Sequence, residues 1–100
     1  MSEKKKRIAP ETVAYVDDDH TELTLEVVVP GVRKEDIVLK IHEDSMSLKA
    51  PRGNFEYVTT LAFCCPVKPE AARAHYMNGL LKIVVPFKDH MEDAVTIKVE

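Results

Sequence analysis

The sequence has no tryptophan, only three glycines, and only two cysteines, which stand side by side. Each scarcity excludes something. Gly31, Gly53 and Gly79 are far apart, so no glycine-rich turn is available to cradle a phosphate. Cys64-Cys65 lacks the C-x-x-C spacing of zinc or thioredoxin-like sites. Neighbouring cysteines rarely reach disulfide geometry, because the link closes a strained small ring. Their plainest reading is two small apolar side chains at a strand end, with redox sensing or an intermolecular disulfide as alternatives. No apolar run is long enough to span a bilayer, and no hydrophobic signal segment opens the chain. A cytoplasmic protein that does not engage membrane is expected. The net charge of −3 supplies no global field for nucleic acid. The short basic run Lys4-Lys5-Lys6-Arg7 reads as a solvated terminus rather than an RNA or membrane contact.

Catalytic constellations are also missing. His20, His42, His75 and His90 sit on different segments and form no H-x-x-x-H pair. Glu43-Asp44 falls in a turn, where exposed and ionised carboxylates are ordinary. Asp17-Asp18-Asp19-His20 could hold a cation, but it lacks the spacing and glycine of an EF-hand loop and reads as a solvated turn. Nothing assembles a nucleophile, a base and an oxyanion donor. The chain is expected to be neither an enzyme nor a cofactor binder.

What is present is strand pattern. With 45% hydrophobic and 31% charged residues over 100 positions, the composition fits one thin-cored domain that self-association would stabilise. Thr12 to Val16 is a short strand candidate. From Thr21 to Val29, Leu23, Leu25, Val27 and Val29 point one way and Glu22, Thr24 and Glu26 the other. Arg33 to Asp36 forms a polar turn. Ile37 to His42 alternates, with Ile37, Leu39 and Ile41 on one face. Ser45 to Ala50 follows, with Met46, Leu48 and Ala50 together. Pro51-Arg52-Gly53-Asn54 is a tight loop, and Phe55 to Phe63 alternates again. Pro66 to Ala72 is a loop with a short helical turn. Val95 to Val99 closes the chain as a β-like segment. Strands at intervals of roughly ten residues, with no helical period, predict an all-β, antiparallel, immunoglobulin-like sandwich. Residues 1–11 read as a flexible arm, 12–88 as the sandwich and 89–100 as a C-terminal extension.

The sharpest local signal is Asn78-Gly79 between two β-forming runs, which predicts a type I′ hairpin. Its register opposes Met77 to Leu80, Tyr76 to Leu81, His75 to Lys82 and Ala74 to Ile83. One face then carries Ala74, Tyr76, Leu81, Ile83 and Val85, which reads as core. The other carries His75, Met77, Leu80, Lys82 and Val84, which is unexpectedly apolar for a solvent face. A sticky second face and open sheet edges suggest capture of extended peptide. Ile97-Lys98-Val99 offers two β-branched knobs on one face of an extended segment. It could equally be a terminal strand of the same sheet.

Taken in order, several blocks resemble the small heat-shock protein family and its α-crystallin domain. They are Val29-Pro30-Gly31-Val32 with Lys34-Glu35-Asp36-Ile37, Phe63 with Pro66, Ala74 with Asn78-Gly79-Leu80-Leu81, and Ile97-Lys98-Val99. The resemblance spans roughly residues 12–99. It implies an ATP-independent holdase that binds unfolding clients and assembles as a homodimer or small homo-oligomer. It also implies that Ile97 and Val99 anchor in a neighbour's groove, lined by Leu39 and Ile41 from one strand and His75 and Met77 from another. The alternation of Leu39 and Ile41 with Ile37 is equally compatible with a core role.

The chain departs from the family in three places. Only Pro51 to Asn54 joins strands that relatives separate by a long loop, so loop swapping between subunits is ruled out. Leu61 stands where many relatives carry arginine. The N-terminal arm is short and polar, with Ile8 its only sizeable apolar side chain. An adaptor resembling the p23 co-chaperone domains, which also lack the swapping loop, is the alternative.

Overall fold

The computed structural model describes residues 6–88 and 94–100. Among the described residues, eight strands form two sheets. They are β1 (Lys6–Ile8), β2 (Glu11–Val16), β3 (Glu22–Val28), β4 (Val38–His42), β5 (Ser45–Arg52), β6 (Phe55–Ala62), β7 (Arg73–Met77) and β8 (Leu80–Pro86). One sheet has the order β1-β6-β5-β4 and the other β2-β3-β8-β7. Every pairing is antiparallel except the three-residue parallel ladder of β1 on β6. Short 3-10 turns occur at Lys34–Asp36 and Pro69–Ala71. The chain is thus the all-β sandwich expected.

The core is the meeting of the alternating apolar series. Leu23, Leu25 and Val27 of β3, with Val29 just beyond it, lie beside Leu81, Ile83 and Val85 of the neighbouring β8, and this layer faces Met46, Leu48 and Ala50 of β5 in the other sheet, all buried. Period-two alternation places each set on one face of its strand, and the two inner faces pack against each other. Each fully buried Leu, Ile or Val contributes roughly 1.5–3 kcal/mol relative to exposure. Ile37, Leu39, Ile41, Tyr57, Leu61, Tyr76 and Phe87 pack around this centre, partly exposed.

Three features differ from the sequence reading. The loop expected at Pro51 to Asn54 is shorter still: Arg52 pairs with Phe55, leaving Gly53-Asn54 as a two-residue turn. Gly53 has φ +56° while Asn54 does not have positive φ, which is the pattern of a type II′ hairpin. Arg52 lies over the Phe55 ring at 5.7 Å, and Phe55 meets Tyr57 edge to face at 5.3 Å.

The arm expected over residues 1–11 supplies strand instead from residue 6. Lys6, Arg7 and Ile8 pair with Phe55, Glu56 and Tyr57. Glu56 is buried beneath that added strand, with Arg7 Nε 3.5 Å and Lys49 Nζ 3.8 Å from its carboxylate. A carboxylate removed from water needs such partners.

Ala74, expected in the core, is exposed. Its strand β7 is the edge of its sheet, and a methyl group there is too short to reach the opposite layer.

Candidate functional site

The Asn78-Gly79 hairpin forms with the predicted register: Met77 opposes Leu80, Tyr76 opposes Leu81, His75 opposes Lys82 and Ala74 opposes Ile83. Asn78 has φ +52° and Gly79 φ +83°, as a type I′ turn requires. The turn is held from behind, where Val29 N–H donates to Gly79 O at 2.8 Å.

Strand pairing carries the outer face of this hairpin across its whole sheet. Met77 lies beside Leu80, Leu80 beside Val28 and Val28 beside Glu11. The next row runs His75, Lys82, Glu26 and Val13, and the one after it Arg73, Val84, Thr24 and Tyr15. Met77 is 58% exposed, and Leu80, Val28, Val13 and Tyr15 are also exposed. The apolar end of the face is therefore the Met77-Leu80-Val28 row beside the turn. The charged end is closed by an ion pair, Arg73 Nη2 to Glu22 Oε2 at 3.1 Å. Val28 and Val13 were not among the sequence candidates. Val28 continues the outward series Glu22, Thr24 and Glu26 by two residues, which is the signal that would have found it.

The four groove candidates fall on two surfaces. Leu39 and Ile41 of β4 are half-buried and packed against the core, on the inner face of their sheet. His75 and Met77 of β7 are exposed on the outer face of the other sheet, because Tyr76 between them turns inward. The β7 residues that share the inner side with Leu39 and Ile41 are Ala74 and Tyr76. β4 and β7 are both edge strands, one in each sheet. The hydroxyl of Tyr76 ties β7 to the chain entering β4, through the carbonyls of Val32 at 2.7 Å and Val29 at 3.1 Å.

The described part of the tail, residues 94–100, takes no part in either sheet. Residues 94–100 carry no strand or bridge, and Ile97 and Val99 are 74% and 91% exposed. The terminal β-like segment is not paired within its own domain, so its knobs are available.

The acidic turn is used as a cap. Asp17 accepts hydrogen bonds from the backbone N–H of Thr21 and Glu22 and from the Thr21 hydroxyl, which together hold its carboxyl below the ordinary carboxylate range. Asp44 is likewise lowered, by hydrogen bonds from His42 and Ser45. Among the described residues, no three His, Cys, Asp or Glu side chains gather where they could hold a metal ion. His90 lies outside the described residues. No helix among them is long and apolar enough to cross a membrane.

No protein-family model matches the sequence, and no curated protein does. Solved structures do match the fold. Heat shock protein 16.0 from Schizosaccharomyces pombe is similar with a TM-score of 0.75 at 15% identity, over 94% of this chain and 77% of that one. A mutant of hsp14.1 from Sulfolobus solfatataricus P2 gives 0.72 at 18%, over 84% and 79%. A small heat-shock protein from Xylella fastidiosa gives 0.72 at 16%, over 93% and 97%. At these identities the likeness establishes the fold: the sandwich is that of small heat-shock proteins.

Proposed function

We propose that this chain is a small heat-shock protein acting as an ATP-independent holdase, which binds unfolding proteins and keeps them from aggregating. The observation that carries this reading is the exposed apolar row Met77-Leu80-Val28, with Val13 beside it, on a sandwich of this fold. Exposed apolar residues that adjoin one another and are rimmed by polar ones mark interaction sites. Unfolding chains present apolar segments of no fixed sequence. A flat strand-built surface with a flexible methionine accepts them without demanding a shape.

The tail serves assembly in this reading. Ile97 and Val99 of one subunit dock along the open side between β4 and β7 of another, against Leu39, Ile41 and the inward side of β7. His75 and Met77 flank this line on the outer face and belong to client capture. Assembly is small, a dimer or low oligomer, because a two-residue turn at Gly53-Asn54 leaves no loop to exchange. That same turn favours the adaptor reading, in which one folded partner is bound as by p23-type co-chaperones. A pull-down dominated by a single protein supports the adaptor. Suppression of aggregation of several unrelated heated clients, at near-stoichiometric ratios and without ATP, supports the holdase.

A further inference from the structure

The two cysteines take no part in the surfaces above. Both are free and exposed, and their sulfur atoms lie 3.4 Å apart. In an extended strand, adjacent side chains point to opposite faces. Here a bend at residues 64–65 brings them to one side. The bend is pinned at both ends. Phe63 N–H donates to Asp44 O at 2.8 Å, and Val67 N–H donates to Glu43 O at 2.8 Å, so one turn of the neighbouring hairpin grips both flanks. Pro66 stiffens the chain between them.

The spacing selects what can bridge the sulfurs. A disulfide needs about 2 Å, which would require the bend to close further. A tetrahedral zinc with sulfur at about 2.3 Å spans roughly 3.8 Å and needs two more ligands. No third His, Cys, Asp or Glu is placed to complete such a set among the described residues. A trivalent, pyramidal centre with angles near a right angle needs only the two sulfurs and one further substituent. Beside the pair lies a cavity of about 500 Å³, lined by Val16, Thr21 and Phe87 together with His20 and Lys88. It offers the substituent an apolar place.

We propose that Cys64 and Cys65 form a preorganised dithiol site for trivalent arsenic compounds that carry an apolar group. In the step, an arsonous acid R–As(OH)₂ forms two As–S bonds and breaks two As–O bonds. Each hydroxide leaves with one thiol proton as water. Arsenic stays trivalent, so no oxidant is involved.

The test uses phenylarsine oxide, which hydrates to the phenyl arsonous acid, and the full chain reduced with a phosphine. Native mass spectrometry is expected to find one phenylarsenic per chain, with both thiols lost to thiol titration. A dithiol should strip the adduct and excess glutathione should not. Cys64→Ser and Cys65→Ser should each weaken binding by about 10²-fold, the chelate gain of a second linked contact. The urea-unfolded chain and a methyl analogue should both bind more weakly than the folded chain with the phenyl compound. Binding of equal strength by either single-cysteine variant, or removal of the adduct by glutathione, overturns the dithiol site. Equal binding by the unfolded chain overturns its preorganisation. Equal binding of the methyl compound removes the role of the cavity.

Discussion

The Tyr76 hydroxyl lies 2.7 Å from the carbonyl of Val32 and donates to it, bonding the edge strand of one sheet to the turn that leads into the edge strand of the other. It fixes the width of the open side on which the tail is proposed to dock. Replacing Tyr76 with phenylalanine keeps the ring and removes the donor. The expected cost is about 1 kcal/mol, the net worth of a hydrogen bond whose acceptor is left without its donor. Urea unfolding of the two proteins measures it, and an unchanged midpoint would show the bond to be idle.

Gly79 and Gly53 both have positive φ, but their surroundings differ. A Cβ at Gly79 would meet the Pro30 backbone at 3.0 Å, whereas a Cβ at Gly53 would meet nothing within 4 Å. Gly53→Ala should cost about 1 kcal/mol, the conformational penalty alone. Gly79→Ala adds a close approach to backbone and should cost distinctly more. The order of the two melting temperatures tests this. Equal losses would mean that the Pro30 contact relaxes freely.

These residues mark what sequence could and could not reveal. Asn78-Gly79 was legible because a type I′ turn is decided by two adjacent residues. The buried series of β3, β5 and β8 was legible because each alternates over a single strand. The β1 ladder was not, since three residues of Lys-Arg-Ile carry no strand signal and their partner is distant in the chain. The burial of Glu56 was hidden for the same reason, because what covers it is that ladder. Alternation puts Ala74 with the core residues because it gives a face and says nothing about whether the strand ends up central or at an edge. The split of Leu39 and Ile41 from His75 and Met77 has the same origin: sheet order is set by the whole sandwich and not by any one strand.

Asp17 should make stability sensitive to acid. Its hydrogen bonds from Thr21 and Glu22 lower its folded pKa below the ordinary 3.8. The native state therefore binds fewer protons than the unfolded state in that range. The contribution is present above about pH 3.8 and is lost as pH falls through the folded value. Asp17→Asn should be less stable than the parent at pH 7, and the gap should shrink below pH 3.8. Denaturant midpoints across pH 2–7 check this. A gap independent of pH would assign the effect to turn geometry rather than charge.

The tail is expected to govern assembly. A chain ending after residue 93 lacks Ile97 and Val99, and light scattering should give it a smaller mass than the full chain. The double variant Ile97→Asp, Val99→Asp should behave like the truncation. Identical masses would remove the tail as the assembling element and leave the sheet edges.

The exposed apolar row on the β2-β3-β8-β7 sheet is the surface proposed to hold unfolding clients. The direct measurement is light scattering of several unrelated heated clients with the full chain and with Leu80→Lys, a substitution at an exposed position that leaves the core untouched. The parent should delay aggregation at near-stoichiometric ratios without ATP, and the variant, equally folded by circular dichroism, should lose most of that protection. A parent that fails with every client would overturn the holdase reading, and a variant that protects as well as the parent would remove this row as the client surface.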